Sequence, residues 1–169
     1  MISPNKRILI VDDNPAIHAD FRKIFAVTAR DPAVDMMEAK LFGAEPVTPT
    51  AVDRSFDLDS AYQGSEAVDM VREARDAGRP YAMVFMDVQM PPGWDGIKTT
   101  AKIWEVDPEL QIVICTAYTR HSWTETLDKL GHADQILILK KPFDNIEAQQ
   151  MAVALSKKWN LVRELTARQ

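Results

Sequence analysis

Three acids, a hydroxyl and an amine stand out because each follows an apolar run: Asp12 and Asp13 after RILIV, Asp87 after YAMVFM, Thr116 after QIVIC, and Lys141, preceded by Lys140, after QILIL. A carboxylate at the end of a buried strand loses hydration and must find a partner. Three carboxylates brought together repel unless a proton or a cation intervenes, and oxygen ligands of this kind suit Mg²⁺, which usually keeps waters as well. A lysine facing the same cluster offers a point charge to a phosphoryl oxygen, and a threonine hydroxyl can donate to another. Such a set, once converged, is equipped for phosphoryl chemistry. Asp12 and Asp13 could instead cap a helix beside Asn14, but capping does not require two acids plus a third two strands away.

The elements that would bring these groups together are legible in the hydrophobic pattern. The runs at 7–11, 81–86, 111–115 and 135–139 are nearly continuous apolar stretches, as expected for strands covered on both faces of a parallel sheet, and 56–61 is a weaker, alternating fifth candidate. Between them lie helical patterns. Ile17, Phe21, Ile24 and Phe25 recur at helical spacing after Asn14-Pro15, a cap followed by proline at the first helical position. Residues 64–77 and 94–104 read as two more helices, Trp123, Leu127 and Leu130 stripe another that Gly131 closes, and Asp144 with Glu147 resembles a capping box opening the last. Strand then helix, five times over, predicts an α/β protein with a doubly wound five-stranded parallel sheet and helices on both faces. In such sheets functional groups collect beyond the carboxyl ends of the strands, where all five chemical residues fall.

The fragments ILIVDD, MDVQMP, ICTA and KKPF, in this order and each at a strand end, resemble the receiver domain of bacterial two-component response regulators over about residues 5–158. The resemblance implies the flavodoxin-like receiver fold with Asp87 as phosphoacceptor. It implies Mg²⁺ held by Asp13, Asp87 and the backbone carbonyl of Gln89, with Asp12 helping through water. Thr116 and Lys141 would each meet a phosphoryl oxygen, while Lys140 faces elsewhere. It further implies a phosphoryl group taken from a histidine kinase or phosphotransfer protein, no enzymatic activity beyond slow self-dephosphorylation, a cis Lys141-Pro142 peptide, and hydrolysis tuned by Gln89 and Tyr118. A phosphorylation-independent interaction module of receiver fold is the alternative. A haloacid-dehalogenase-type phosphatase also uses an aspartate nucleophile, but it wants a second acid two residues later, where this chain has Gln89.

Composition bounds the rest. With 169 residues, 46% hydrophobic and 27% charged, the chain fits one globular domain. A net charge of −5 gives no basic field for a phosphate backbone, so no nucleic-acid partner is expected. The apolar run near the amino terminus is too short for a membrane span or a signal-peptide core, which points to a cytoplasmic protein without membrane insertion. Cys115, within QIVIC, reads as a buried packing residue. His18, His121 and His132 lack ligand spacing and receive no role, and the tryptophans read as packing residues.

Departures from the family pattern sharpen the expectations. PPGW makes the loop after Asp87 longer and stiffer than usual, and Ile138 stands where an aromatic often swings inward, so the readout falls to Tyr118 and the Thr116–Tyr118 loop. Residues 27–54 form an insertion with a short helix starting at Asp31-Pro32 and stopping at Gly43. The predicted organisation is a receiver domain over 1–158 and a helical extension over 159–169 leading to an output domain outside this chain. A helix from Asp144 to the end would reach roughly 39 Å at 1.5 Å per residue. Met151, Leu155, Val162 and Leu165 along it suggest a coiled-coil seam, interrupted by Lys158, through which two copies could pair.

Overall fold

A computed structural model describes residues 4–26, 56–88, 90, 93–116, 135–141 and 143–167. The insertion helix, Gln89, Tyr118, the helix striped by Trp123 and the Lys141-Pro142 bond lie outside the described residues. The sheet has five parallel strands: β1 (Arg7–Val11), β2 (Asp57–Ala61), β3 (Met83–Asp87), β4 (Gln111–Thr116) and β5 (Ile136–Lys140), in the order β2-β1-β3-β4-β5. Four described helices connect or flank them: α1 (Pro15–Ala26), α2 (Gly64–Asp76), α3 (Gly96–Val106) and α4 (Asn145–Ala167).

The continuity of the apolar runs follows from burial on both faces. Leu9 and Val11 of β1, Val84 and Met86 of β3, and Ile112 and Ile114 of β4 pack with α2 and α3 through Val68, Val71, Ile103 and Trp104. The alternate residues Ile8, Ile10, Met83, Phe85, Val113 and Cys115 face α1 and α4 through Phe21, Ile24, Phe25, Ala152 and Leu155. Each buried side chain of this size contributes about 1.5–3 kcal/mol of transfer free energy, so neither face could be exchanged for solvent cheaply. The weak alternation of 56–61 has its cause in β2's place at the sheet edge, where only Ala61 is buried. Among the described residues no helix is long and apolar enough to cross a membrane.

Local chemistry sets the helix ends. Asn14 Oδ1 accepts from Ala16 N–H at 3.0 Å, fixing the start of α1. Asp95 caps α3 by accepting from Lys98 N–H at 2.7 Å, which moves the start of that helix two residues past the predicted Trp94. Gly78, with φ of 74°, lies just beyond the end of α2, in the left-handed conformation that glycine adopts without strain.

The proposed coiled-coil seam along the last helix needs correction. Met151 and Leu155 belong to the domain's own core layer with α1, so only Val162 and Leu165 of that stripe, together with Leu161, are exposed. Four-residue spacing is common to a coiled-coil seam and to a helix lying on its own sheet; here the sheet takes the first half. Contacts to the domain continue past residue 158. Asn160 and Asn5 exchange hydrogen bonds of 2.8 and 3.0 Å, and Arg163 pairs with Glu109 at 2.8 Å while lying over the Trp159 ring.

Candidate phosphoacceptor site

β1 leads to β2 on one side and the chain then crosses to β3 on the other, so the carboxyl ends of β1 and β3 flank the crevice where strand order reverses. Asp12 and Asp13 follow β1; Asp87 ends β3. Carboxylate oxygens of the three lie within 4.8 Å of one another. Lys141 follows β5, and its Nζ donates to Asp87 Oδ1 at 3.2 Å and to Asp12 Oδ2 at 3.4 Å. Its backbone N–H donates to the Thr116 carbonyl at 2.8 Å, tying the β5 exit to the end of β4.

Asp12 is held at every polar atom. Its N–H donates to Ala61 O at 3.2 Å, its Oδ1 accepts from Asn14 N–H at 2.9 Å, its Oδ2 faces Lys141, and its carbonyl oxygen lies 2.7 Å from His18 Nε2. Asp87 is seated by the chain beyond it. Val88 N–H donates to Cys115 O at 3.3 Å, and Gly96 N–H donates to Val88 O at 2.8 Å, folding the start of α3 back onto the strand end. A Cβ at position 96 would overlap the Asp87 carbonyl, so only glycine permits that approach.

Thr116 ends β4, buried, one residue beyond Cys115, the register partner of Asp87. Lys140 is the exposed last residue of β5. Ile138 is half-buried within β5 and pairs in register with Ile114. Cys115 is buried, which pushes its thiol up to about 12, so it stays a neutral packing residue. His18, given no role from the sequence, is buried against the site; the signal that could have found it is its position on the stripe His18, Phe21, Phe25, where a polar ring must meet polar partners.

The electrostatics leave positive charge wanting. Burial, and then repulsion from Asp12, raise the Asp87 pKa above the ordinary carboxylate value, with Lys141 opposing and Asp13 adding. Burial alone would lower the Lys141 pKa, yet attraction to Asp87 and Asp12 raises it. One ammonium against three carboxylates does not neutralise the crevice. A divalent cation with hard oxygen ligands fits this donor set, and Mg²⁺ is the ion such a set suits when part of its shell stays water.

A family model described as a response regulator receiver domain matches residues 47–153. The chain belongs to this family. The match begins ahead of β2, so β1 with Asp12 and Asp13 lies before it, and the receiver sheet nevertheless seats β1 between β2 and β3. Solved structures share the receiver fold over nearly the whole chain. The adenylate cyclase from Rhodopirellula baltica superposes with a TM-score of 0.67 at 18% identity, covering 96% of each chain. The signal receiver domain of an HD domain-containing protein from Pseudomonas fluorescens gives 0.66 at 17% identity, covering 97% of this chain and 96% of that one. The CheX-CheY-BeF3-Mg complex from Borrelia burgdorferi gives 0.60 at 20% identity, covering 88% and 87%. A curated relative, the transcription factor SKN7 of the fungus Chaetomium thermophilum, is 35% identical over 86 residues, which is 51% of this chain and 10% of that protein. The receiver thus spans a tenth of that relative's length.

Proposed function

We propose that this receiver accepts a phosphoryl group on Asp87 from a histidine kinase or phosphotransfer protein and passes the change on as a conformational signal. The observation that carries the reading is the meeting of Asp12, Asp13 and Asp87 with Lys141 at one crevice. An Asp87 carboxylate oxygen attacks phosphorus, a P–O bond forms, and the donor's bond to phosphorus breaks with its electron pair leaving on the donor. Asp12, Asp13, Asp87 and the Gln89 carbonyl are the groups that would hold Mg²⁺, which supplies charge neutralisation when bound. Lys141 exchanges its bond to Asp87 for one to a phosphoryl oxygen, and the Thr116 hydroxyl takes another. That exchange pulls the ends of β4 and β5 toward the new charge, shifting the Thr116–Tyr118 loop while Ile138 supplies no rotating ring. As the family resemblance implies, Gln89 and Tyr118 would tune hydrolysis, and slow self-dephosphorylation is the only turnover.

The signal leaves through α4, whose exposed Leu161, Val162 and Leu165 suit pairing with a second copy and continuation into an output domain. The working compartment of such a pathway is the cytoplasm. Acetyl phosphate with Mg²⁺ is the direct test. The wild type gains the mass of one phosphoryl group and Asp87→Asn does not; equal labelling of both, or of neither, favours the phosphorylation-independent interaction module.

A further inference from the structure

His18 sits in the first turns of α1 with 1% of its surface exposed and its ring 4.5 Å from that of Tyr62. Nε2 lies 2.7 Å from the backbone carbonyl of Asp12, and Nδ1 lies 2.9 Å from Ser60 Oγ. A carbonyl only accepts, so the network assigns the proton to Nε2. Nδ1 then accepts from the Ser60 hydroxyl, whose oxygen accepts from Arg22 Nη2 at 2.9 Å. The result is one directed chain, from Arg22 through Ser60 and His18 to Asp12, linking edge strand β2 and helix α1 to the loop that carries the acids.

Asp13 shows why the carbonyl matters. Among the described residues no hydrogen bond reaches the Asp13 carboxylate, although it is one of the three acids of the cluster. Its position therefore depends on its backbone. The Asp12 carbonyl belongs to the peptide plane joining residues 12 and 13, and a peptide unit moves as a rigid body. Fixing that oxygen fixes the orientation in which Asp13 leaves the loop.

We infer that His18 is a positioning residue for the acidic pocket: by donating to the Asp12 carbonyl it sets the peptide plane from which Asp13 reaches the cation. This rests on the proposal that Asp12, Asp13 and Asp87 hold Mg²⁺. Removing the outer partner of a metal ligand typically weakens metal binding 10–100-fold, which sets the scale of the effect.

The test is a Mg²⁺ titration followed by thermal shift, on the wild type, Asp13→Ala, His18→Leu and His18→Gln. The glutamine amide can bring an N–H to the place of Nε2, whereas leucine supplies volume without a donor. The expected result is a Mg²⁺ midpoint raised about tenfold in His18→Leu, largely recovered in His18→Gln, and no response in Asp13→Ala. A packing role predicts the reverse order, with leucine better tolerated than glutamine and the midpoint unmoved, and that result overturns the inference. Should the His18 variants not fold, Ser60→Ala decides: a raised midpoint supports the chain of hydrogen bonds, and an unchanged one overturns it. A wild type indifferent to Mg²⁺ overturns the metal reading and the inference with it, whereas a responsive wild type with an unresponsive Asp13→Ala and an unshifted His18→Leu overturns the inference alone.

Discussion

Lys141 meets Asp87 across an intervening strand: its ammonium lies 3.2 Å from Oδ1 although β4 separates β5 from β3, and its own N–H is bonded to Thr116 at the end of that strand. The lysine is thus anchored to one candidate phosphoryl contact while its side chain neutralises the candidate acceptor. Replacing it should expose the underlying repulsion. Lys141→Met is expected to lower stability by about 1–3 kcal/mol without Mg²⁺, because two mostly buried acids lose their cation. Added Mg²⁺ should restore more stability to this variant than to the wild type, while phosphorylation slows. Melting curves with Mg²⁺ and with chelator check the first two outcomes, and labelling by acetyl phosphate checks the third.

Asp87 gives a pH dependence with a definite sign. Its pKa is raised, chiefly by burial and then by Asp12. The folded chain therefore binds this proton more tightly than the unfolded chain does, so the stability linked to it is present in acid and is lost as pH rises through the raised value. Without Mg²⁺, Asp87→Asn should melt above the wild type at neutral pH, by roughly 2–4 °C for each kcal/mol of relief in a chain of this size. The gap should close toward pH ~4, where an ordinary aspartate titrates. A gap independent of pH would assign the difference to packing.

Gly96 is the next test of how Asp87 is seated. A methyl group at this position overlaps the Asp87 carbonyl, a backbone atom that cannot rotate away. Gly96→Ala should destabilise the fold by about 1–3 kcal/mol, the usual cost of overpacking. It should also slow phosphorylation more than an equally destabilising change elsewhere. Val71→Ala, on α2 and in the core away from the crevice, is a suitable comparison for denaturant melts and labelling rates.

The strands were legible because burial on both faces leaves a continuous apolar signature, and the acids stood out because they break it. Their convergence was legible for the same reason: parallel strands put all their carboxyl ends on one edge. Boundaries shifted where a cap intervened, as Asp95 does for α3. Two features needed three dimensions. His18 shares a helical stripe with Phe21 and Phe25, which marks it as inward, but the partners that give it meaning, from β2 and from a backbone carbonyl, leave no trace in spacing. Met151 and Leu155 read equally well as a seam for a second copy or as the face laid on the sheet, since both demand the same helical period.

The exposed end of α4 yields a prediction of its own. Leu161 and Leu165 lie beyond the buried Trp159 and are exposed. Replacing both with glutamate should abolish self-association through this helix while leaving its anchors at Asn160 and Arg163 in place. Sedimentation of the wild type and the double variant, with and without beryllofluoride, checks this. A wild type monomeric in both conditions would contradict pairing through α4.

The most direct measurement is the location of the acyl phosphate. After reaction with acetyl phosphate and Mg²⁺, borohydride reduction converts a phosphorylated aspartate to homoserine, which peptide mass spectrometry can locate. Homoserine is expected at position 87 alone, with none formed in Lys141→Met on the timescale on which the wild type is labelled. Homoserine at position 12 or 13, or no reduced residue in a protein that binds Mg²⁺, would contradict it.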